Sequence, residues 1–107
     1  MGKLVRDKIP QIIEASGATP LTRILETEEY LSCLEAKLDE EVQEFHESKS
    51  PEELADILEV VYALAAAQGC SREQLLDIYT KKNAARGGFE KRIYWMGHRV
   101  NEQKEIT

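Results

Sequence analysis

Residues 54–67, LADILEVVYALAAA, are apolar on nearly every side of a helix. Leu54, Ile57, Leu58, Val61 and Ala65 share one face. Val60, Ala63 and Ala67 fall on another, with Tyr62 and Leu64 between. Such a helix is buried on several sides. The 107 residues amount to a single domain, and three long helices in so short a chain can hardly cover it. The expected fold is mainly α: an antiparallel helical bundle completed by oligomerisation. The simplest case is a homodimer with this helix at its centre, and pairing of dimers into a tetramer is left open.

The other elements follow from local signals. Pro10 opens a short helix and Gly17 ends it. Thr27 reads as an N-cap, with Glu28 and Glu29 complementing the dipole of a helix that runs to about Ser48. Leu31, Leu34, Leu38, Val42 and Phe45 form its apolar stripe. Ser50 caps the apolar helix, Pro51 occupies its first position, and Glu53 is expected to complete a capping box. Gly69 is its expected stop. Ser71 and Gln74 make a second box for a helix ending at Gly87-Gly88. Residues 21–25 and 92–96 are β-compatible and are expected as a short two-stranded element. A mobile tail is expected from about residue 98.

The chain carries 14 basic and 20 acidic residues, a net charge of −6. That balance argues against a general nucleic-acid binder, since phosphate backbones are held mainly by Lys and Arg. No leader-like apolar core stands at the N-terminus, and the longest apolar run, residues 60–67, is too short to cross a bilayer. Cys33 and Cys70 lack metal-like spacing and read as reduced thiols. A cytoplasmic protein without membrane contact is expected.

Two acidic clusters interrupt the apolar pattern. Glu40, Glu41 and Glu44 precede the turn at Ser48–Ser50, and Glu53 and Asp56 follow it. Residues i and i+3 share a helix face, so Glu41 pairs with Glu44 and Glu53 with Asp56. At about 100° per residue Glu41 projects along the Leu34–Leu38–Phe45 stripe towards the neighbouring helix. Antiparallel packing brings both pairs to one end of the bundle. Four converging carboxylates repel strongly without a cation, and hard oxygen ligands select Mg²⁺, with Mn²⁺ as a substitute. Acids early in a helix are also ordinary dipole and capping residues. Glu41 on the core stripe and Asp56 amid the apolar run Leu54–Leu58 favour the metal, since a buried unpaired charge is expensive.

Cations gather in two places. Lys82, Asn83 and Arg86 close the last helix, where a dipole partner and a phosphate contact are both natural roles. Lys3, Arg6 and Lys8 crowd the N-terminus, either as a solvated end or as further phosphate contacts. His46 and His98 have no nucleophilic partner that the sequence can place.

Glu40-Glu41-Val42-Gln43-Glu44 followed by Glu53-Leu54-Ala55-Asp56 resembles the EExxE and ExxD motifs of the all-α, MazG-like nucleoside triphosphate pyrophosphohydrolases. The KLVRDKIPQII opening and the KKNAARGGFEKRI segment look like a small single-domain branch described as phosphoribosyl-ATP pyrophosphohydrolase-like. The resemblance covers roughly residues 3–93. It implies an oligomeric helical bundle with Mg²⁺ held by Glu41, Glu44, Glu53 and Asp56. Glu40 would support the site or orient water, and Glu40, Glu41 and Glu44 form the catalytic set. It implies cleavage between the α- and β-phosphates of a nucleotide, giving a nucleoside monophosphate and pyrophosphate, as a house-cleaning activity. Phosphoribosyl-ATP hydrolysis in histidine biosynthesis is the enzymatic alternative. A non-catalytic helical dimer that binds a nucleotide or a protein is the alternative from another class. The short connection between Glu44 and Glu53 leaves little room for a loop over the base.

Overall fold

The computed structural model describes residues 2–99. Four helices follow in order: α1 (Ile9–Ala15), α2 (Thr27–Ser48), α3 (Pro51–Ala67) and α4 (Arg72–Arg86). The mainly α expectation holds. The part of the expected tail beyond residue 99 lies outside the described residues.

Helices α2 and α3 form the centre. Lys49 adopts a left-handed conformation (φ 57°) that ends α2, and Ser50 starts α3 at once. So short a connection folds the two helices back along each other as a hairpin, and they make the main packing contact of the chain. Leu34, Val60 and Ala65 are its buried apolar residues. Glu41 is buried with them, as its place on the apolar stripe predicts.

The caps follow the sequence with two corrections. The Ser71 hydroxyl accepts from the Gln74 amide (3.1 Å), and the Gln74 side chain accepts from the Ser71 amide (2.8 Å). Ser50 caps α3 without a box: its hydroxyl accepts from the Glu52 amide (3.1 Å). Glu53 therefore does not reach back to its cap. Thr27 is already helical, with Glu26 in the cap position. Replacing Ser71 by Ala removes one arm of its box, at a cost of about 1 kcal/mol. Amide exchange should speed up through the first turn of α4 and stay unchanged in α2.

Helix α4 leaves α3 at 108° and packs on α3 but not on α2. The corner holds Arg72 over the Tyr62 ring, 4.3 Å from its centroid, a cation–π contact worth about 0.5–1 kcal/mol when exposed. No single helix among the described residues is long and apolar enough to cross a membrane.

The expected two-stranded element does not form among the described residues. Leu21 and Ile24 are almost fully exposed, as are Ile93, Tyr94 and Met96. Two strands alone are marginal in water, and neither segment has a third strand or a helix face to cover it. Instead Arg23 grips Glu29 with both guanidinium nitrogens (3.0 and 2.6 Å), tying the connection to the first turn of α2.

The single chain is open. Its radius of gyration is 20.9 Å and its extents are 78 × 32 × 24 Å; a compact chain of this length has a radius near 13 Å. It exposes 9994 Å², where a compact protein of its mass exposes about 6,100 Å². Leu54 and Leu58, on the helix that the sequence marks as apolar all round, remain 49% exposed.

Candidate metal centre

The α2–α3 hairpin fixes the acids. Glu40, Glu41 and Glu44 lie in the last turns of α2, while Glu53 and Asp56 lie in the first turns of α3. Folding at Lys49–Ser50 brings the two sets together. They meet as two carboxylate groups that share one member. Glu40, Glu41 and Glu44 offer oxygens within 4.8 Å of one another, and so do Glu41, Glu53 and Asp56. The sequence predicts one set of Glu41, Glu44, Glu53 and Asp56 with Glu40 in support. In the structure Glu41 belongs to both groups, and Glu40 stands with Glu44 in the first.

Glu41 is 7% exposed, and its Oε2 has no hydrogen-bond partner. The Oε2 of Glu53 is likewise buried and unpartnered. Two unit charges 4.8 Å apart repel by about 3.5 kcal/mol at an effective dielectric constant of ~20. Burial pushes the Glu41 carboxyl above the usual carboxylate range. Glu44 adds to this, as an acceptor for the Glu41 proton and as a like charge, and Lys37 opposes it. Without a divalent ion, a proton is the local remedy for the crowding.

Two cations stand in the cluster. Lys37 Nζ lies 3.4 Å from both Glu40 and Glu41, longer than the 2.7–2.9 Å of a tight charge-assisted bond. It supplies charge without occupying either carboxylate firmly. The sequence reading missed Lys37, although its i+3 and i+4 relation to Glu40 and Glu41 was visible. Arg6 Nη1 donates to Asp56 Oδ1 at 3.1 Å across 50 positions of sequence. Lys3 and Lys8 are exposed on the same segment.

The C-terminal cations are not brought there. Lys82, Asn83 and Arg86 are exposed in the last turns of α4. Glu53 lies near the start of α3, about 20 Å along the helix from its end, and the 108° corner carries α4 sideways. Within one chain these residues and the carboxylates are separate. A shallow depression lined by Gly69, Cys70, Glu73, Gln74, Asp77 and Ile78 sits at that far corner and contains none of the expected site residues. Cys33 and Cys70 are unpaired thiols outside both carboxylate groups.

The donor set suits a hard cation. It is all carboxylate oxygen, it is crowded, and two of its buried oxygens have no partner. Mg²⁺ and Mn²⁺ take such ligands and complete their shells with water or substrate phosphate.

No family profile matches the chain, and no solved structure matches it. An uncharacterized protein of Mycolicibacterium smegmatis (strain ATCC 700084 / mc(2)155) is 59% identical over 44 residues. The aligned stretch is 41% of this chain and 45% of that protein, so the match spans less than half of either.

Proposed function

We propose that the chain is a Mg²⁺-dependent nucleotide pyrophosphohydrolase of the MazG-like kind, acting in the cytoplasm as a homodimer or a pair of dimers. The observation that carries this reading is Glu41: a buried carboxylate with a free oxygen, at the point where two acidic groups meet.

Glu41, Glu44, Glu53 and Asp56 would hold the metal, with Glu41 common to both carboxylate groups. Bound there, Mg²⁺ polarises the phosphate oxygens and lowers the pKa of the attacking water. Glu40 is more open than Glu41 and has Lys37 only loosely beside it at 3.4 Å, which suits it to orient the water and take its proton. The water oxygen bonds to one phosphorus of the α–β linkage. The bond from that phosphorus to the bridging oxygen breaks, and nucleoside monophosphate and pyrophosphate separate. Guanidinium and ammonium groups oppose the charge that gathers on the phosphate oxygens.

Pyrophosphate release from a panel of nucleoside triphosphates, with and without Mg²⁺, tests the reading. Release from several of them, dependent on Mg²⁺, supports it. Turnover of phosphoribosyl-ATP alone would move the assignment to that enzyme, and no turnover of any nucleotide would leave a binding protein.

Lys82 and Arg86 act on substrate only if a second copy brings α4 to the carboxylates. An equal mixture of an Arg86→Ala protein and a Glu41→Gln protein, each inactive alone, should then recover activity as mixed dimers form. Continued inactivity of a verified mixed dimer would place Arg86 outside the site.

A further inference from the structure

The tie between Arg6 and Asp56 carries an inference that rests on the metal reading above and deepens it. Asp56 does two things at once. It accepts from Arg6 Nη1 at 3.1 Å, and it belongs to the group with Glu41 and Glu53 whose oxygens lie within 4.8 Å of one another. The inner members of that group have only the loose Lys37 contact to Glu41 at 3.4 Å as positive charge: Glu41 is 7% exposed with a free Oε2, and the Oε2 of Glu53 is also buried and free. The external cation sits on Asp56, the outermost acid, whose side chain is 39% exposed. The Arg6 side chain is 62% exposed, so its guanidinium stands at the mouth of the group with further N–H donors unused. Helix α1, which follows it, packs along none of the other helices, so little holds the segment rigid.

We infer that Arg6 is an exchanging cation: it neutralises Asp56 while the carboxylates lack a divalent ion, yields Asp56 to the ion, and turns its fork to a substrate phosphate. Asp56 has two oxygens and Arg6 takes Oδ1, so the competition is electrostatic. An arginine N–H and a divalent cation drawn to the same carboxylate repel each other. Once displaced, the guanidinium is still at the mouth, where nucleotide phosphates must arrive, and its planar fork matches their oxygens. Arg6 therefore opposes binding of metal alone and favours binding of the phosphate that follows.

The test separates these two signs. Mn²⁺ alone is titrated into wild type, Arg6→Ala, Arg6→Lys, Lys8→Ala and Glu41→Gln, with free ion followed by electron paramagnetic resonance. Inorganic pyrophosphate is then titrated into the Mn²⁺-loaded proteins by calorimetry. An exposed ion pair limits the competition, so Arg6→Ala should bind Mn²⁺ about two- to fivefold more tightly. Loss of charged hydrogen bonds should weaken pyrophosphate by roughly tenfold or more. Arg6→Lys should keep Mn²⁺ affinity near wild type while still losing pyrophosphate affinity. Unchanged or weaker Mn²⁺ binding in Arg6→Ala would overturn the exchange and leave the metal site standing. Equal tightening in Lys8→Ala would overturn it as well, because a general field would then explain the effect. Wild type that binds Mn²⁺ no better than Glu41→Gln would overturn the metal reading and the exchange together.

Discussion

Glu41→Gln should make the protein more stable without metal and inactive with it. Both effects come from one oxygen. In the wild type the buried Oε2 lacks a partner and the neighbouring acids repel it. Glutamine keeps the shape, removes the charge, and can donate an N–H to Glu44, as the protonated acid would. An unsatisfied buried polar group costs about 1–3 kcal/mol, so the metal-free melting temperature should rise by several degrees. Mg²⁺ should raise the melting temperature of the wild type, by about 2.7 kcal/mol of stability at a hundredfold excess over its Kd, and leave the variant unmoved. Turnover should fall at least about a hundredfold, because a Lewis-acid metal supplies several kcal/mol and each 1.36 kcal/mol is tenfold. A variant that loses stability without metal, or keeps its turnover, would remove Glu41 from the role given to it.

The same residue sets a pH dependence with a definite sign. The Glu41 carboxyl is raised in the folded state, by burial first and then by Glu44. The folded state therefore holds its proton more firmly than the unfolded chain does. The resulting stability is fully present below the ordinary glutamate value of about 4.3 and is lost as pH climbs through the raised one. Metal-free protein should soften across that window, and Glu41→Gln should flatten the curve. Mg²⁺ binding should run the other way, weakening as pH falls into the window, because proton and ion compete for one carboxylate.

Local chemistry was legible in the sequence wherever a few neighbouring residues decide the structure. The Ser71–Gln74 box, Pro51 at the start of α3 and the burial of Glu41 on the Leu34–Leu38–Phe45 stripe all follow from spacing. The β element failed because strands need remote partners, and residues 21–25 have none among the described residues. The Ser50–Glu53 box failed for an informative reason. Glu53 lies with Glu41 and Asp56 instead of reaching back to its cap, and the Ser50 hydroxyl takes the Glu52 amide. Arg6 is legible in the sequence as a cation, but no periodicity connects it to a residue 50 positions away. Lys37 was overlooked because a helix lysine near acids ordinarily serves the surface; its 17% side-chain exposure makes it part of the site.

In the proposed oligomer, Leu58→Asp should leave a monomer and lower the melting temperature sharply. The exposed area of the single chain and the half-exposed Leu54 and Leu58 leave α3 without a cover on one side. Residues 54–67 are apolar nearly all round, and α2 covers one face. A second copy placing its own α3 there would bury both leucines twice over, since a two-fold interface repeats every contact. Full burial of a leucine is worth about 1.5–3 kcal/mol, so half-burial contributes roughly 1 kcal/mol each. Aspartate removes that gain and adds an unpaired carboxylate to the interface, a further cost of several kcal/mol per site. Light scattering at micromolar protein should show the mass of a single chain. Because the acids lie on α2 and the first turns of α3, the monomer should lose turnover along with the cover over its carboxylates. A Leu58→Asp protein that stays oligomeric would place the interface elsewhere, on α1 or on the exposed residues 89–96. A monomer that retains turnover would show that one hairpin, with its Arg6, is a complete site.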